Sequence, residues 1–272
     1  MNSPSDSRGL SAKNLHGDSQ AYALLIAVTA AVGGLLFGYD TSVISGAILF
    51  VRKLFHLSST QTELAVSIVL AGAALGAAVA GYFADRFGRK PVLIVNAVIF
   101  GVFAIATGLA NGLAVLLVAR FLVGAAVGVA SMITPLYIAE VAPARTRGAL
   151  VTLNQLAIVT GIVVAYCVDY IFSGAGNWRA MFISAVVPSV VLLLALAFLP
   201  ESPRWLATRQ RLDEALGILS RVETAEEAQR DLQELREVTE TANLNFRDLF
   251  APRFRRPLLV GVLLAIFQQI TG

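Results

Sequence analysis

Six apolar segments, each long enough to cross a lipid bilayer as a helix, constrain this chain more than any other feature. A helix needs about 20 mainly apolar residues to span the hydrocarbon core. The segments run over residues 21–50, 64–83, 91–109, 114–137, 150–172 and 180–199. Hydrophobic residues make up 57% of the chain and charged residues only 14%, more apolar surface than a soluble fold could bury. The sequence therefore predicts an all-α membrane protein.

Composition divides the chain into four parts. Residues 1–20 are polar, residues 21–199 contain the six spans, and residues 200–256 are too charged to enter lipid. A seventh apolar run over residues 257–272 is too short to cross a bilayer. We expect, in that order, a cytoplasmic N-terminal tail, a six-span bundle, a cytoplasmic helical linker and the truncated start of a seventh transmembrane helix.

The charged linker carries apolar side chains at helical spacing. Leu212, Leu216 and Leu219 fall on one face of a helix. This spacing predicts short amphipathic helices that pack beneath the bundle. A solvated linker with some helical bias is the alternative.

Basic residues in the short loops predict the orientation of the spans, because cytoplasmic loops carry an excess of Lys and Arg. The loops after the second and fourth spans are rich in them: Arg86, Arg89, Lys90, Arg145 and Arg147. The opposite loops are poorer: Arg52, Lys53 and Arg179. We therefore expect a multi-pass protein of the cell membrane with a cytoplasmic N-terminus. The basic residues form no patch interleaved with aromatic residues, so the net charge of +3 does not indicate nucleic-acid binding.

Two charged residues stand out because they lie inside apolar spans. Asp40 interrupts the first span, and Arg120 lies between Ala119 and Phe121 in the fourth. A charged side chain at the centre of a membrane costs about 2.5–3.5 kcal/mol on insertion scales, so such residues usually have a function. If the two pair, the proton affinity of Asp40 depends on conformation, as proton-coupled transport requires. A fixed structural ion pair and a solvated Asp40 at the membrane boundary are the alternatives.

Uncharged polar side chains in the spans are candidate ligands for a polyhydroxylated solute, since amides both donate and accept hydrogen bonds. Gln155 lies in the fifth span, and Gln268 and Gln269 lie late in the seventh apolar run. Gln155 could instead bond a neighbouring helix. No catalytic set, phosphate loop or metal-ligand spacing is present, and Cys167 is the single cysteine. We therefore expect no enzymatic activity, no metal and no cofactor.

Small residues recur at about one-turn spacing in the second and fourth spans. They are Gly72 and Gly76 in one and Gly124 and Gly128 in the other. This spacing lets helix backbones approach closely, so these glycines are interpreted as packing residues.

A set of motifs in a fixed order resembles the sugar porter family of the major facilitator superfamily. The motifs are Gly-Gly-Leu-Leu-Phe-Gly-Tyr-Asp at 33–40, Gly-Tyr-Phe-Ala-Asp-Arg-Phe-Gly-Arg-Lys at 81–90, Arg120, Pro-Leu-Tyr-Ile-Ala-Glu at 135–140 followed by Arg145 and Arg147, Pro-Glu-Ser-Pro-Arg-Trp-Leu at 200–206, and Phe-Gln-Gln-Ile-Thr-Gly at 267–272. The resemblance implies a twelve-helix carrier of two six-helix halves, each built of inverted three-helix repeats. This chain would supply the N-terminal half, the linker and the start of the second half.

The resemblance also implies roles for individual residues. Asp40 matches the acidic position of proton symporters, and Arg120 matches its partner. The residues that match sugar contacts are Phe37, Gln155, Gln268 and Gln269. The residues that match a cytoplasmic charge network, which latches the outward-facing state, are Asp85, Arg86, Arg89, Glu140, Arg147, Glu201 and Arg204.

The expected function is proton-coupled symport of a monosaccharide by alternating access. The partners would be the sugar, the proton, the lipid bilayer and a C-terminal six-helix half, without which this chain is expected not to transport. A passive uniporter for a sugar or polyol is one alternative. A truncated product or a sensing module that translocates nothing is the other.

Overall fold

The structure is a computed structural model, and it describes residues 6–142, 146–221, 224–241, 255, 259–264 and 267. All regular secondary structure in these residues is helical. The helices are α1 (Asp6–Leu54), α2 (Ser59–Phe87), α3 (Arg89–Gly108), α4 (Leu113–Val141), α5 (Arg147–Ser173), α6 (Trp178–Ile183), α7 (Val186–Phe198), α8 (Pro203–Thr208), α9 (Leu212–Leu219) and α10 (Ala225–Thr241).

Each predicted span corresponds to a stretch of helix that is long and apolar enough to cross a membrane. The six stretches are Leu25–Leu54, Ser59–Phe87, Arg89–Gly108, Leu113–Val141, Arg147–Ser173 and Trp178–Phe198. The prediction of an all-α, six-span bundle is therefore confirmed. Helix α1 begins at Asp6, within the part of the sequence that is polar, and continues without interruption into the first span.

The sixth span is interrupted, which its apolar pattern did not indicate. Helix α6 ends at Ile183 and α7 begins at Val186. Pro188 lies two residues into α7 and has no N–H to donate to the carbonyl oxygen of Ser184. The chain makes tighter turns here, with the N–H of Val187 donating to Ser184 O at 3.1 Å.

Glycines bring α2 and α4 into backbone contact. A Cβ atom added at Gly72 or Gly76 would lie 2.0 Å from a carbonyl oxygen of α4, and one added at Gly128 would lie 2.0 Å from Ala73 O of α2. Helices α1 and α5 approach as closely, since a Cβ at Gly38 would lie 1.9 Å from Ile158 O. These contacts support the interpretation of the small residues as packing residues.

The bundle of six spans has two ends, which are named here after Arg89 and Trp178. The Arg89 end holds the C-termini of α2, α4 and α7 and the N-termini of α3 and α5. The Trp178 end holds the C-termini of α1, α3 and α5 and the N-terminus of α6. Arg179 closes the Trp178 end by donating through Nη1 to the carbonyl oxygens of Gly108 and Ala110, both at 2.9 Å.

The linker helices pack on the Arg89 end. The indole Nε1 of Trp205 donates to Asp85 O at 3.0 Å, and Arg209 donates to Arg86 O at 2.7 Å. These bonds satisfy carbonyl groups that the C-terminus of α2 leaves free. Leu206, Ala215 and Ile218 form a small apolar core of their own, with Trp205 and Leu232 packed against it. This arrangement favours packed amphipathic helices over a solvated linker.

Residues from Gln233 onward form a second compact unit. Within it the structure describes the end of α10 and helical residues at 255, 259–264 and 267. Most of the predicted seventh helix therefore lies outside the described residues.

Candidate functional site

Asp40 and Arg120 form an ion pair inside the bundle. The guanidinium Nη1 of Arg120 donates to Asp40 Oδ1 at 2.8 Å. The side chain of Asp40 is 4% exposed and that of Arg120 is 1% exposed. Asp40 lies in the middle of the first span, and Arg120 lies two turns into α4. The structure therefore brings together the two charged residues that the sequence places in separate spans.

Aromatic groups surround this pair. The guanidinium carbon of Arg120 lies 5.5 Å from the ring centre of Phe182, a distance at which a cation is attracted to an aromatic face. The hydroxyl of Tyr39, next to Asp40, donates to Met181 O at 2.9 Å and lies 2.6 Å from Ser184 Oγ. Tyr39 thus joins α1 to the break between α6 and α7.

The ion pair is only partly satisfied by hydrogen bonds. Asp40 Oδ2 and the Nε and Nη2 atoms of Arg120 are buried and have no partner among the described residues. A buried ion pair repays its loss of hydration only when further hydrogen bonds complete both groups. With one bond between them, each buried charge relies on the other for its compensation.

A second charged group, here called the Arg89 cluster, consists of Asp85, Arg89, Glu140, Glu201 and Ser202. Arg89 Nε donates to Glu140 Oε2 at 3.0 Å, and Arg89 Nη1 lies 3.2 Å from Asp85 Oδ1. The hydroxyl of Ser202 donates to the same Glu140 oxygen at 2.6 Å. The cluster ties α2, α3 and α4 to the start of the linker.

Glu201 caps α3 from the linker. Its Oε1 accepts from the backbone N–H groups of Arg89, Lys90 and Ser202 at 3.0, 3.2 and 2.8 Å. A carboxylate is favourable at a helix N-terminus, where N–H groups lack helical partners. Burial raises the pKa of Glu201 above its ordinary value, while these hydrogen bonds and the charge of Arg89 act in the opposite direction.

The remaining residues of the predicted charge network lie around the cluster without joining it. Arg204 is exposed and lines a cavity of ≈ 540 Å³ together with Asp85, Arg89, Leu136, Glu140, Thr208 and Arg209. Arg86 lies over the ring of Phe87, 5.8 Å from its centre. Arg147 is exposed and donates to Ala142 O at 3.5 Å. The structure therefore groups four of the seven predicted residues closely, and Arg145 lies outside the described residues.

The predicted sugar contacts are only partly described. Phe37 is half-buried on α1, one turn before Asp40, and Gln155 is exposed on α5. Gln268 and Gln269 lie outside the described residues. Among the described residues, no group of three His, Cys, Asp or Glu side chains comes close enough to hold a metal ion.

The family model described as "Sugar (and other) transporter" matches residues 26–272. The chain belongs to the sugar porter family of the major facilitator superfamily. The resemblance carried by the motifs is thereby confirmed.

Similar proteins agree with this family. The chain is 42% identical to the D-xylose transporter of Levilactobacillus brevis over 245 residues, which cover 89% of this chain and 54% of the relative. It is 39% identical to the galactose-proton symporter of Escherichia coli over 264 residues, which cover 96% of this chain and 57% of the symporter. These relatives are named as transporters and not as enzymes. The chain spans little more than half the length of these two relatives.

A solved structure agrees on the fold of this sugar porter chain. The proton:xylose symporter XylE of E. coli, bound to 6-bromo-6-deoxy-D-glucose, aligns with a TM-score of 0.83 at 33% identity. The alignment covers 93% of this chain and 60% of XylE. The predicted fold, the six-helix N-terminal half of a major facilitator protein, is confirmed.

Sequence reasoning missed one buried acid in this sugar porter chain. Asp169 lies on α5, is 6% exposed, and accepts through Oδ2 from the backbone N–H of Gly46 at 3.1 Å. A carboxylate inside the apolar run 150–172 was the available signal. The motifs of the sequence do not point to it, because Asp169 belongs to none of them.

Proposed function

We propose that this chain forms the N-terminal half of a carrier that moves a monosaccharide together with a proton. The buried pair of Asp40 and Arg120 carries the proposal, because a dry and incompletely bonded carboxylate is suited to gain and lose a proton. The names of relatives support it, since one is a galactose-proton symporter and another a D-xylose transporter. The similarity to a proton:xylose symporter supports it as well.

The mechanism follows from the charge of the pair. With Arg120 bonded at 2.8 Å, the carboxylate of Asp40 can remain ionised in a dry site. When a change of conformation separates the two, the isolated carboxylate takes a proton on one of its oxygens, since an unpaired buried charge is costly. Restoring the pair releases the proton. Alternating access requires this dependence of proton binding on conformation.

The Arg89 cluster is the proposed cytoplasmic latch. The charge pairs of the cluster join the ends of different helices, so a movement of two halves of a carrier against each other can break them. The excess of basic residues in the loops at the Arg89 end supports a cytoplasmic position for this end and for the N-terminus. Arg204 is exposed and lines the adjoining cavity, so it is a proposed partner for a group of the second half.

The sugar would bind between the halves near the middle of the membrane. Phe37 and Gln155 are its proposed contacts on this chain, with Gln268 and Gln269 from the seventh helix. Amide groups suit sugar hydroxyls because they donate and accept hydrogen bonds at once. Phe37 lies one turn from Asp40 on α1, so a sugar at this aromatic ring would be close to the proton-binding carboxyl.

The decisive experiment is the substitution Asp40→Asn in the full-length protein, reconstituted in vesicles. We expect loss of accumulation driven by a pH gradient and retention of part of the sugar exchange measured by counterflow. Asp213→Asn, at an exposed acid on α9, is the matched control and should accumulate sugar normally. Unchanged accumulation by Asp40→Asn would refute proton coupling through this pair.

Two further measurements separate the alternative functions. In the unsubstituted full-length protein, a passive uniporter would show uptake that is indifferent to a protonophore. Sugar uptake by vesicles that contain only residues 1–272 would contradict the proposal that the second half is required.

A further inference from the structure

We propose that Asp169 is a second proton-binding carboxyl of the bundle, which holds a proton where α5 packs against Gly46 of α1. This site is separate from Asp40 and lies nearer the Trp178 end. The proposal goes beyond the coupling role of Asp40 and stands on its own geometry, so either can fail without the other.

The first observation is a space shaped for the carboxyl group. A Cβ atom at Gly46 would lie 2.4 Å from Asp169 Oδ2, so a larger residue here would collide with the carboxyl group where it now lies. Oδ2 accepts the N–H of Gly46 at 3.1 Å, whereas Oδ1 is buried and has no partner among the described residues. One oxygen is therefore bonded, and the other is placed where a proton would complete the group.

The second observation is a contrast with Asp40. Both acids are buried in membrane-spanning helices, but Asp40 has the guanidinium of Arg120 at 2.8 Å. Asp169 forms no ion pair within the described part of the chain. An ionised carboxylate without a cation is far costlier in an apolar bundle than the neutral acid. Asp40 can therefore stay charged in this arrangement, whereas Asp169 is expected to be neutral.

The charged groups on the neighbouring helices do not compensate Asp169. Arg120 is engaged by Asp40, and the guanidinium of Arg179 is directed at the carbonyl groups that end α3. The hydroxyl of Tyr39 donates to Met181 O and lies within hydrogen-bond distance of Ser184 Oγ. The titratable and charged residues on the helices packed against α5 are Tyr39, Asp40, Arg52 and Lys53 on the membrane-spanning part of α1 (Leu25–Leu54), Arg120, Tyr137 and Glu140 on α4, and Arg179 on α6.

Asp169 lies near the end of its helix, where water could exchange a proton with it. Asp169 lies four residues before the end of α5 at Ser173, about 6 Å along the helix axis. A hydronium ion at the Trp178 end can transfer a proton to Oδ1: one O–H bond of the hydronium ion breaks, one O–H bond forms on the carboxyl group, and a water molecule is left. When α1 and α5 separate at Gly46, the carboxyl is hydrated and the proton returns to water.

The test is infrared difference spectroscopy of the full-length protein during a pH titration. Protonated carboxyl groups have a carbonyl band that disappears on ionisation. We expect one such band to be lost in Asp169→Asn and retained in both Asp40→Asn and Asp213→Asn. An unchanged set of bands in Asp169→Asn would overturn the proposal.

A second variant keeps the test decisive if Asp169→Asn does not fold. Asp169→Glu retains a carboxyl group in altered surroundings, so the assigned band should move and not vanish. A band that stays at the same frequency in Asp169→Glu refutes the assignment. Loss of the Asp169 band together with normal sugar accumulation by Asp40→Asn would support this proposal while rejecting the proposed coupling role of Asp40.

Discussion

The Asp40–Arg120 pair and the Arg89 cluster use the same chemistry in different ways. The pair is dry, joined by one hydrogen bond, and leaves three polar atoms without partners among the described residues. In the Arg89 cluster, Glu140 accepts from both Arg89 and Ser202, and Glu201 accepts three backbone N–H groups. Glu140 and Glu201 are thus each bonded several times, while Asp40 is bonded once.

This difference sets the proposed proton-binding group apart from the carboxylates that join helix ends. A buried carboxylate with one hydrogen-bond partner relies on that partner for the stabilisation of its charge. A carboxylate with several donors keeps most of its stabilisation when one is lost. Substitutions at the pair should therefore lower the stability of the protein strongly, and the effect of changing one residue should depend on the other. Substitutions at the cluster should lower stability less, because several hydrogen bonds share the stabilisation.

The largest effect is expected from Arg120→Ala. It leaves Asp40 buried without a cation, which typically destabilises a protein by about 3–5 kcal/mol. Adding Asp40→Asn should recover part of this loss, because the uncompensated charge is removed. Thermal unfolding of the purified full-length protein measures both. Arg221→Ala, at an exposed position, is the control, and an Arg120→Ala variant as stable as this control would contradict the account of the pair.

Gly88→Ala should have the largest effect at the cluster. Gly88 has φ 101° and ψ 160°, and a Cβ there would lie 2.2 Å from Glu201 Oε2. Such a backbone conformation costs a residue other than glycine roughly 1–3 kcal/mol before any collision with Glu201. The matched control is Gly217→Ala on α9, where nothing lies within 4 Å of the added methyl group. Equal unfolding temperatures for the two variants would exclude a tight contact at Gly88.

A double-mutant cycle on Arg89 and Glu140 should give a smaller coupling energy, about 1.5 kcal/mol, as expected for a hydrogen bond between charged groups. The value lies at the low end because Asp85 remains as a partner for Arg89. The exposed pair of Arg211 and Glu214 is the comparison and should show no measurable coupling. A coupling energy between Arg89 and Glu140 as large as that between Asp40 and Arg120 would contradict the distinction between the two regions.

The smallest expected effect is the contribution of the Glu201 carboxyl group to the pH dependence of stability. Its pKa is raised above the ordinary value of 4.5, so the folded protein binds this proton more tightly than the unfolded chain does. Stability from this group is therefore present below pH 4.5 and is lost as pH rises through the folded pKa. Glu201→Gln keeps an oxygen acceptor for the three N–H groups and should flatten this part of the stability profile. An identical pH dependence in both proteins would contradict the assignment.

Much of the fold was predictable because a bilayer imposes simple requirements on sequence. A span must be apolar over about 20 residues, and all six runs form helices of that kind. The glycine spacing also predicted close packing of α2 and α4. The break between α6 and α7 was not predicted, since Pro188 alone does not show whether a helix bends, breaks or begins there.

The candidate site was predictable where it consists of charged residues inside apolar segments. Asp40 and Arg120 are charges in apolar runs, and each is conspicuous without a structure. Asp169 is conspicuous by the same rule, but its importance depends on Gly46, which lies 123 positions earlier in the chain. Glu201 is similar, because a carboxylate in a polar linker gives no sign that it caps α3.

The sequence by itself determined that this chain forms six membrane helices, which helices contain charges, and to which family it belongs. Only the tertiary structure decided which charges have partners. It bonds Arg120 to Asp40, leaves Asp169 with one backbone N–H group, and surrounds Glu201 with three. The physical reason is that the state of a buried charge depends on atoms within a few ångströms, and in a helical bundle these come from segments far apart in sequence.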